Sequence, residues 1–163
     1  MGDGYCSVCP VGYACRSPIF APTPCLAGTY SREGSTFCSK CPLGSSCANS
    51  ALPPQSCANG TYSSSDGISC IACEIKKFCP SVQAFESYPC PGGFYSVGNQ
   101  AACTACPAGH YCVADSQAPV PCQTGYFSFG TAIACTACPP GYYCPDPSKE
   151  PVLCSKGKYS LAG

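Results

Sequence analysis

Hydrophobic residues in this chain follow neither of the two periods that mark long helices or long strands. No segment keeps a helical spacing of apolar positions over about ten residues, and proline and glycine recur throughout. Alternation of apolar and polar residues covers only short pieces, such as Gly28 to Ser31 and Gly93 to Ser96. The pattern therefore predicts short two-stranded hairpins and turns, with little or no helix.

The same short pieces return at a fixed interval, which makes the chain a tandem repeat. Five copies begin, with a period of 32 residues and one step of 33, at Cys6, Cys38, Cys70, Cys103 and Cys135. Within a copy the four cysteines are spaced by three, six and ten residues, and thirteen residues lead to the next copy. Such a period indicates an array in which each copy contacts mainly its neighbours.

We divide the array into five repeats, 1–37, 38–69, 70–102, 103–134 and 135–163, of which the third is irregular and the fifth truncated. After its fourth cysteine each copy has a glycine, then an aromatic residue, then a serine; the glycines are Gly28, Gly60, Gly93, Gly125 and Gly157. The third repeat lacks the proline and glycine between Cys73 and Cys79 and has one extra residue before Cys90. We therefore expect its turn to be built differently.

Proline-rich segments join the third and fourth cysteines of each copy. They span residues 17–24, 48–56, 81–89, 113–121 and 145–153. Proline disfavours helix in itself and in the residue before it. We expect these linkers to be extended or polyproline-like at the surface.

Composition places the chain among disulfide-rich proteins of oxidising compartments. It has 20 cysteines, 18 prolines and 17 glycines in 163 residues, no tryptophan and only scattered aliphatic residues, so a large aliphatic core is excluded. A net charge of zero, with 10% charged residues, argues against a nucleic-acid partner. No apolar run reaches the roughly 18 residues of a membrane helix, so we expect no direct membrane insertion. We predict an extracellular protein, either secreted or on the cell surface.

The two ends of the sequence suggest a piece of a longer array. Met1 to Gly4 lacks the basic start and apolar run of a secretory signal. Gly2 to Tyr5 matches the end of the loop that precedes other Cys-x-x-Cys pairs, and Lys156 to Gly163 matches the beginning of that loop. We expect the array to continue beyond both ends.

Five Cys-x-x-Cys pairs allow three chemical interpretations. Four thiolates per copy could bind zinc, but the third and fourth cysteines lie ten residues apart with proline between them. A redox site needs a helix start that lowers the thiol pKa, and no helix is predicted. Structural disulfides are the interpretation we favour, and we therefore predict no cofactor and no metal site.

Two pairing schemes respect the repeat. In the crossed scheme the first cysteine of a copy pairs with the third, and the second with the fourth. In the sequential scheme, which we prefer because it encloses the Gly-x-aromatic-Ser turn in one closed loop, the pairs are Cys9–Cys15, Cys25–Cys38, Cys41–Cys47, Cys57–Cys70, Cys73–Cys79, Cys90–Cys103, Cys106–Cys112, Cys122–Cys135 and Cys138–Cys144. This scheme leaves Cys6 and Cys154 for bridges to another unit or beyond the given sequence.

The motif Cys-x-x-Gly-x-Tyr-Ser, followed by a polar loop and Cys-x-x-Cys-Pro-x-Gly, resembles the ephrin-receptor-like cysteine-rich repeat. The same loop is similar to the first module of tumour necrosis factor receptors. The resemblance covers almost the entire chain. It implies a disulfide-laddered rod, as in extracellular parts of receptors, matrix proteins and mastigoneme-like appendages, and it implies no activity.

Other candidates for chemistry are few. His110 is the only histidine, and we interpret it as a surface residue. The eight acidic residues are scattered, so they form no catalytic carboxylate pair, and there is no phosphate-binding loop. Asn59-Gly60-Thr61 is an N-glycosylation sequon, and the Ser63 to Ser65 cluster could carry O-linked sugars.

The fold class we predict is small and disulfide-rich, a tandem array of five repeats of about 32 residues that forms an elongated rod. The function we predict is a non-enzymatic extracellular structural protein, part of a filament, appendage or matrix. Its expected partners are other copies, which associate head to tail or laterally into a fibre, and glycans. Aromatic residues recur in every copy, which favours a scaffold over the alternative, a receptor or adhesion ectodomain that presents a ligand site. A zinc-binding protein is the third hypothesis.

Overall fold

The computed structural model describes residues 6–80 and 86–163. The regular structure in these ranges consists of two- and three-residue strands, with no helix, as the apolar pattern predicted. The strands are β1 (Tyr13–Ala14), β2 (Thr23–Pro24), β3 (Thr29–Tyr30), β4 (Ser39–Lys40), β5 (Ser45–Ser46), β6 (Gln55–Ser56), β7 (Thr61–Ser63), β8 (Cys70–Ala72), β9 (Lys77–Phe78), β10 (Tyr88–Pro89), β11 (Phe94–Tyr95), β12 (Thr104–Ala105), β13 (His110–Tyr111), β14 (Val120–Pro121), β15 (Tyr126–Phe127), β16 (Thr136–Ala137), β17 (Tyr142–Tyr143) and β18 (Val152–Leu153). The predicted disulfide-rich hairpin fold is confirmed.

Two kinds of antiparallel hairpin alternate along the described chain. In the first kind, called the turn hairpin, the residues before the third cysteine pair with those before the fourth; these hairpins are β1–β2, β5–β6, β9–β10, β13–β14 and β17–β18. In the second kind, called the loop hairpin, the aromatic residue after the repeated glycine pairs with the residues that follow the next copy's first cysteine; these are β3–β4, β7–β8, β11–β12 and β15–β16. Each hairpin is its own two-stranded sheet, so no strand joins neighbouring hairpins into a larger sheet within the described residues.

The contacts divide the chain into two compact units. The described residues of unit 1 lie within Met1–Ala72 and Cys79–Glu86, and those of unit 2 within Cys73–Phe78 and Ser87–Gly163. The boundary falls in the irregular third repeat.

Sulfur and serine take the place of an aliphatic core. The buried apolar residues, which apart from one alanine are all cysteines, are Cys9, Ala14, Cys25, Cys47, Cys73, Cys79, Cys90, Cys106, Cys112 and Cys138. The buried polar residues are all serines, Ser31, Ser63, Ser96, Ser116 and Ser128. Because large aliphatic side chains stay at the surface, stability must come mainly from cross-links and buried hydrogen bonds.

The proline-rich linkers are less extended than the sequence predicted. In the described copies the linker ends in a two-residue strand of a turn hairpin, as Thr23–Pro24 and Val120–Pro121 show. Earlier in the linker the chain makes tight turns, because side chains such as Asn49 and Asp146 hydrogen-bond to the backbone two residues on. The linker part at residues 81–85 lies outside the described residues.

The turn of the third repeat is not built differently, contrary to our expectation. Gly12, Gly44, Gly109 and Gly141 have φ angles between 74° and 82°, and Lys76 takes the equivalent position with a φ of 69°. The Lys76 N–H donates to the carbonyl of Ser96 at 2.9 Å, as the Gly109 N–H donates to Ser128 at 3.0 Å. Hydrogen bonding to the neighbouring loop thus holds a lysine in a conformation that glycine normally fills.

Replacing Lys76 by glycine should stabilise unit 2. The left-handed conformation costs a residue with a side chain roughly 1–2 kcal/mol, and the extra chain entropy of glycine offsets part of that gain. We expect the free energy of unfolding to rise by about 1 kcal/mol. The measurement is hydrogen exchange of the Cys90 amide, which donates to the carbonyl of residue 76 at 2.9 Å and should exchange more slowly in the variant. Lys77→Gly is the control, because Lys77 lies in a strand and should lose stability. Equal losses in the two variants would contradict the argument.

Candidate functional site

The cysteines are joined in the sequential pattern. The bridges that the structure describes are Cys9–Cys15, Cys25–Cys38, Cys41–Cys47, Cys57–Cys70, Cys90–Cys103, Cys106–Cys112, Cys122–Cys135 and Cys138–Cys144. Their Cα atoms lie 5.6 to 6.1 Å apart, within the normal range for disulfides. Cys73 and Cys79 are also disulfide-bonded. The bridges of known geometry thus close loops of two sizes, with a sequence separation of either six or thirteen residues between the paired cysteines.

Two cysteines stand apart from this pattern. Among the described residues Cys6 and Cys154 have no disulfide partner; Cys6 is exposed and Cys154 is half-buried. These are the two positions that the sequential scheme left for bridges outside the chain as given.

In the first and fourth repeats the serine that follows the aromatic residue connects successive hairpins through its hydroxyl. The Ser31 hydroxyl donates to the Tyr13 carbonyl at 2.8 Å, and the Ser128 hydroxyl donates to the His110 carbonyl at 2.7 Å. Both serines are buried, and each acceptor lies 18 residues earlier, in the preceding turn hairpin. The sequence revealed that this serine recurs but gave it no role. Recurrence at a fixed distance after a recurring aromatic residue was the signal that could have suggested one.

A second set of hydrogen bonds joins each loop to the preceding turn through the backbone. The Cys15 amide donates to the Ser35 carbonyl at 3.0 Å, and the Cys112 amide donates to the Ala132 carbonyl at 2.9 Å. In the opposite direction, the Gly34 amide donates to the Cys9 carbonyl at 2.8 Å. Since these bonds need only a backbone in the right place, they tolerate different side chains in the polar loop.

We call the left-handed residue of each turn hairpin the seat, and at two of these positions, Gly12 and Gly109, the linker of the next copy lies in contact. A Cβ added to Gly12 would lie 2.9 Å from the Cα of Ala51, and one added to Gly109 would lie 3.2 Å from the Cβ of Ser148. Both glycines are buried. The absence of a side chain therefore serves the contact with the next copy as well as the backbone angle.

The residues that occupy these seats belong to a short turn in the next copy's linker. Asn49 Oδ1 accepts from the Ala51 amide at 3.0 Å, and Asp146 Oδ1 accepts from the Ser148 amide at 2.9 Å. We call the segments 49–52 and 146–149 capped turns. The Ser148 hydroxyl and then Lys149 hold the pKa of the Asp146 carboxyl well below its usual range. Because that pKa is lowered, the hydrogen bonds that the Asp146 carboxylate accepts should be intact at any pH above the ordinary Asp pKa. They should be lost only when the pH falls through the lowered pKa.

The residues considered for other chemistry do not converge on a site. No group of three His, Cys, Asp or Glu side chains in residues 6–80 and 86–163 is placed to hold a metal ion, and bridged cysteines have no thiolate to offer one. His110 is half-buried in β13, and its ring Nδ1 lies 3.2 Å from the Ala108 carbonyl oxygen. A groove of 560 Å³ in unit 1 is lined in part by Asp66, and the Ser64 hydroxyl and the Ile68 amide lower the pKa of the Asp66 carboxyl.

Asn59 lies exposed in the turn that leads into β7. The hydroxyl of Thr61, the third sequon residue, donates to the Ala58 carbonyl at 2.7 Å. Glycosylation of Asn59 stays a prediction, which the mass released by an N-glycan-cleaving enzyme would check.

No family model matches this chain, and no curated protein shows significant similarity to it. In the described part of the chain no helix is long and apolar enough to cross a bilayer. The dense disulfides fit an oxidising environment. The chain is thus a disulfide-rich array of hairpin repeats.

Proposed function

We propose that this chain is a non-enzymatic structural module of an extracellular filament, appendage or matrix. The observation that supports the proposal is the repeated joint between hairpins. A serine hydroxyl bond to the preceding turn hairpin occurs in both units, and bridges between cysteines six or thirteen positions apart recur along the described chain. A scaffold needs such uniform joints, whereas a catalytic or ligand site needs one copy that differs in its polar groups.

Surface composition supports an assembling role. Large apolar side chains remain mostly exposed in several copies, for example Leu26 at 79%, Phe37 at 65% and Ile133 at 64%. Charged residues, which oppose association by self-repulsion and hydration, make up only 10% of the chain. A net charge of zero removes the self-repulsion that keeps proteins apart, which suits lateral or end-to-end packing in a fibre.

Resemblance to ephrin-receptor-like repeats supports the same proposal at the level of motif, since the proline–glycine turns and cysteine spacings recur in nearly every copy. A receptor or adhesion ectodomain is the competing function. It would use the same repeats to present a ligand site and would not need to associate with itself.

Electron microscopy of the oxidised full chain over a range of concentrations tests the proposal. We expect elongated particles that grow into filaments or bundles as concentration rises, because the joints repeat and the charge is low. Mass spectrometry after alkylation should find at most two free thiols, at Cys6 and Cys154. Single particles that never associate would favour the ectodomain alternative, and compact spherical particles would contradict the structural role.

A further inference from the structure

We propose that the groove of 560 Å³ in unit 1 binds an uncharged, hydroxyl-rich carbohydrate through Lys40 and Asp66. The groove is lined by residues 27–29, 40–43 and 63–67, and we call it the polar groove. This inference goes beyond the structural function proposed above, and it does not require copies of the chain to associate.

The polar groove lies beside the one loop hairpin of the described chain that is built differently. Its strands β7 and β8 have three residues each, whereas the strands of the other loop hairpins have two. At the position of Asp66 the first, third and fourth repeats have a residue whose amide donates to a cysteine carbonyl; these bonds are Gly34 to Cys9, Asn99 to Cys73 and Thr131 to Cys106. Within the described residues the Asp66 amide makes no such bond to Cys41, and both residues line the groove. The loop of the second repeat therefore forms a separate wall.

The two charged residues of the polar groove are peculiar to the second repeat. In the first, third and fourth repeats the position of Lys40 holds Val8, Ala72 and Ala105, and the position of Asp66 holds Gly34, Asn99 and Thr131. The two positions are close in space, since a Cβ added to Gly34 would lie 3.8 Å from Cγ1 of Val8. A ligand site needs a copy that differs in its polar groups, and the second repeat meets this condition.

The loop that carries Asp66 is held in place before any ligand binds. Asp66 Oδ1 accepts from the Ser64 hydroxyl and, at 2.9 Å, from the Ile68 amide. A Cβ added to Gly67 would lie 2.8 Å from the Cβ of Cys41, so the loop packs directly against a disulfide. Because the loop is already ordered, binding costs little conformational entropy there.

Lys40 and Asp66 keep hydrogen-bonding groups that no other residue of the described chain uses. The Lys40 ammonium forms no ion pair or hydrogen bond with a described residue, and Asp66 Oδ2 accepts no bond from another described residue. Both residues are exposed. Since an ammonium has three donors and a carboxylate oxygen is an acceptor, a ligand in the groove can bind to both.

The mixture of groups in the polar groove fits hydroxyl groups on an uncharged ligand. Lys40 and Asp66 are the charged residues that line it, and one positive and one negative charge favour no net charge on the ligand. The Thr29 hydroxyl donates to the Leu26 carbonyl at 2.7 Å, which leaves its oxygen able to accept. A sugar hydroxyl both donates and accepts, so it satisfies donors and acceptors alike.

Size and apolar surface also favour a carbohydrate. The volume lies within the range of roughly 300–1,000 Å³ that is usual for small-molecule sites. Pro42 and Leu43, of which Leu43 is 61% exposed, offer apolar surface to the C–H face of a sugar ring. An amino acid, whose two charges could pair with Lys40 and Asp66, is the competing ligand, but it would leave the Thr29 hydroxyl unused.

Nuclear magnetic resonance of the isotope-labelled full chain tests the proposal with trisaccharides of glucose, galactose and mannose. We expect at least one of them to bind with a Kd of about 1 mM or tighter. Binding should shift the amide signals of Cys41, Gly67 and Ile68, which lie in or beside the groove. Glycine, as the amino acid probe, should bind at least about tenfold more weakly.

Two variants remove the proposed contacts without disturbing the loop. Lys40→Met keeps the length of the side chain, and Asp66→Asn keeps an oxygen that can accept from the Ile68 amide. Each should weaken binding of the trisaccharide about fivefold or more, because a hydrogen bond to a charged group is lost. Hydrogen exchange of the Cys47 amide, which donates to the Gly67 carbonyl at 2.8 Å, should stay unchanged and so report an intact loop.

Lys149→Met and Asp146→Asn are the matched controls. Asp146 accepts from the Ser148 amide in an equivalent turn, but Lys149 and Asp146 pair with each other at 2.9 Å in unit 2. Their replacement should leave binding of the trisaccharide unchanged.

The outcomes separate this site from the structural function. The carbohydrate site would be overturned if none of the three trisaccharides bound, if glycine bound more tightly, or if only signals outside the groove shifted. Binding that Lys40→Met and Asp66→Asn leave unchanged, or that the controls weaken equally, would overturn it too. In each case filaments could still form, so the structural proposal would depend on its own test. A chain that stays monomeric and binds a trisaccharide in the groove would keep the site and overturn the fibre-forming role.

Discussion

Replacing Gly93 by alanine should destabilise unit 2 by about 2–5 kcal/mol. The new Cβ would lie 3.0 Å from the Thr131 carbonyl carbon and closer still to its oxygen, so the backbone of the neighbouring loop would have to move. Gly93 also has a φ of 85°, which costs a residue with a side chain roughly 1–2 kcal/mol. Hydrogen exchange should therefore speed up at the Cys106 amide, which donates to the Gly93 carbonyl at 2.9 Å.

Gly157 provides the matched control for this change. It holds the same place in its repeat, with a φ of 82°, but no described heavy atom lies within 4 Å of its ideal Cβ once its chain neighbours are set aside. Gly157→Ala should thus cost only the conformational strain, about 1–2 kcal/mol, and it should leave exchange of the Cys106 amide unchanged. Equal effects of the two variants in urea unfolding would show that the contact with Thr131 contributes nothing.

Removing the bridge between Cys106 and Cys112 should also cost about 2–5 kcal/mol. Both cysteines are almost fully buried, so the double change to alanine loses packing as well as the cross-link. The Cys112 amide, which donates to the Ala132 carbonyl at 2.9 Å, reports the effect through its hydrogen exchange. We expect its exchange to accelerate on the order of a hundredfold or more, since about 1.4 kcal/mol corresponds to a factor of ten.

Cys6→Ala is the control for the loss of a cysteine. Cys6 is exposed and unbridged, so its replacement should leave unfolding by urea and exchange at Cys112 unchanged when the chain is monomeric. If the double variant resembled Cys6→Ala, the cross-links would not be the main source of stability. The serine and backbone bonds between hairpins would then have to take that role.

Much of the local structure could be predicted from the sequence. The absence of helical periodicity and the short alternation around Gly28 and Gly93 predicted hairpins, and strands β3 and β11 lie there. The regular cysteine spacing reduced the pairing to two schemes, and the structure joins the cysteines in the sequential one. These features are local, because loop length and turn residues decide which cysteines can meet.

The sequence alone determined a repeating, helix-free chain held together by cysteines, because composition and spacing act over short distances. Only the tertiary structure decided how the copies meet. The burial of Ser31 and Ser128, the left-handed conformation of Lys76 and the contact at Gly12 all depend on backbone from another hairpin or copy. A residue's local sequence does not specify a partner that lies 18 or 39 positions away. For that reason the missing proline and glycine of the third repeat led us to expect a different turn. The hydrogen bond from Lys76 to the neighbouring loop in fact preserves the turn of the other repeats.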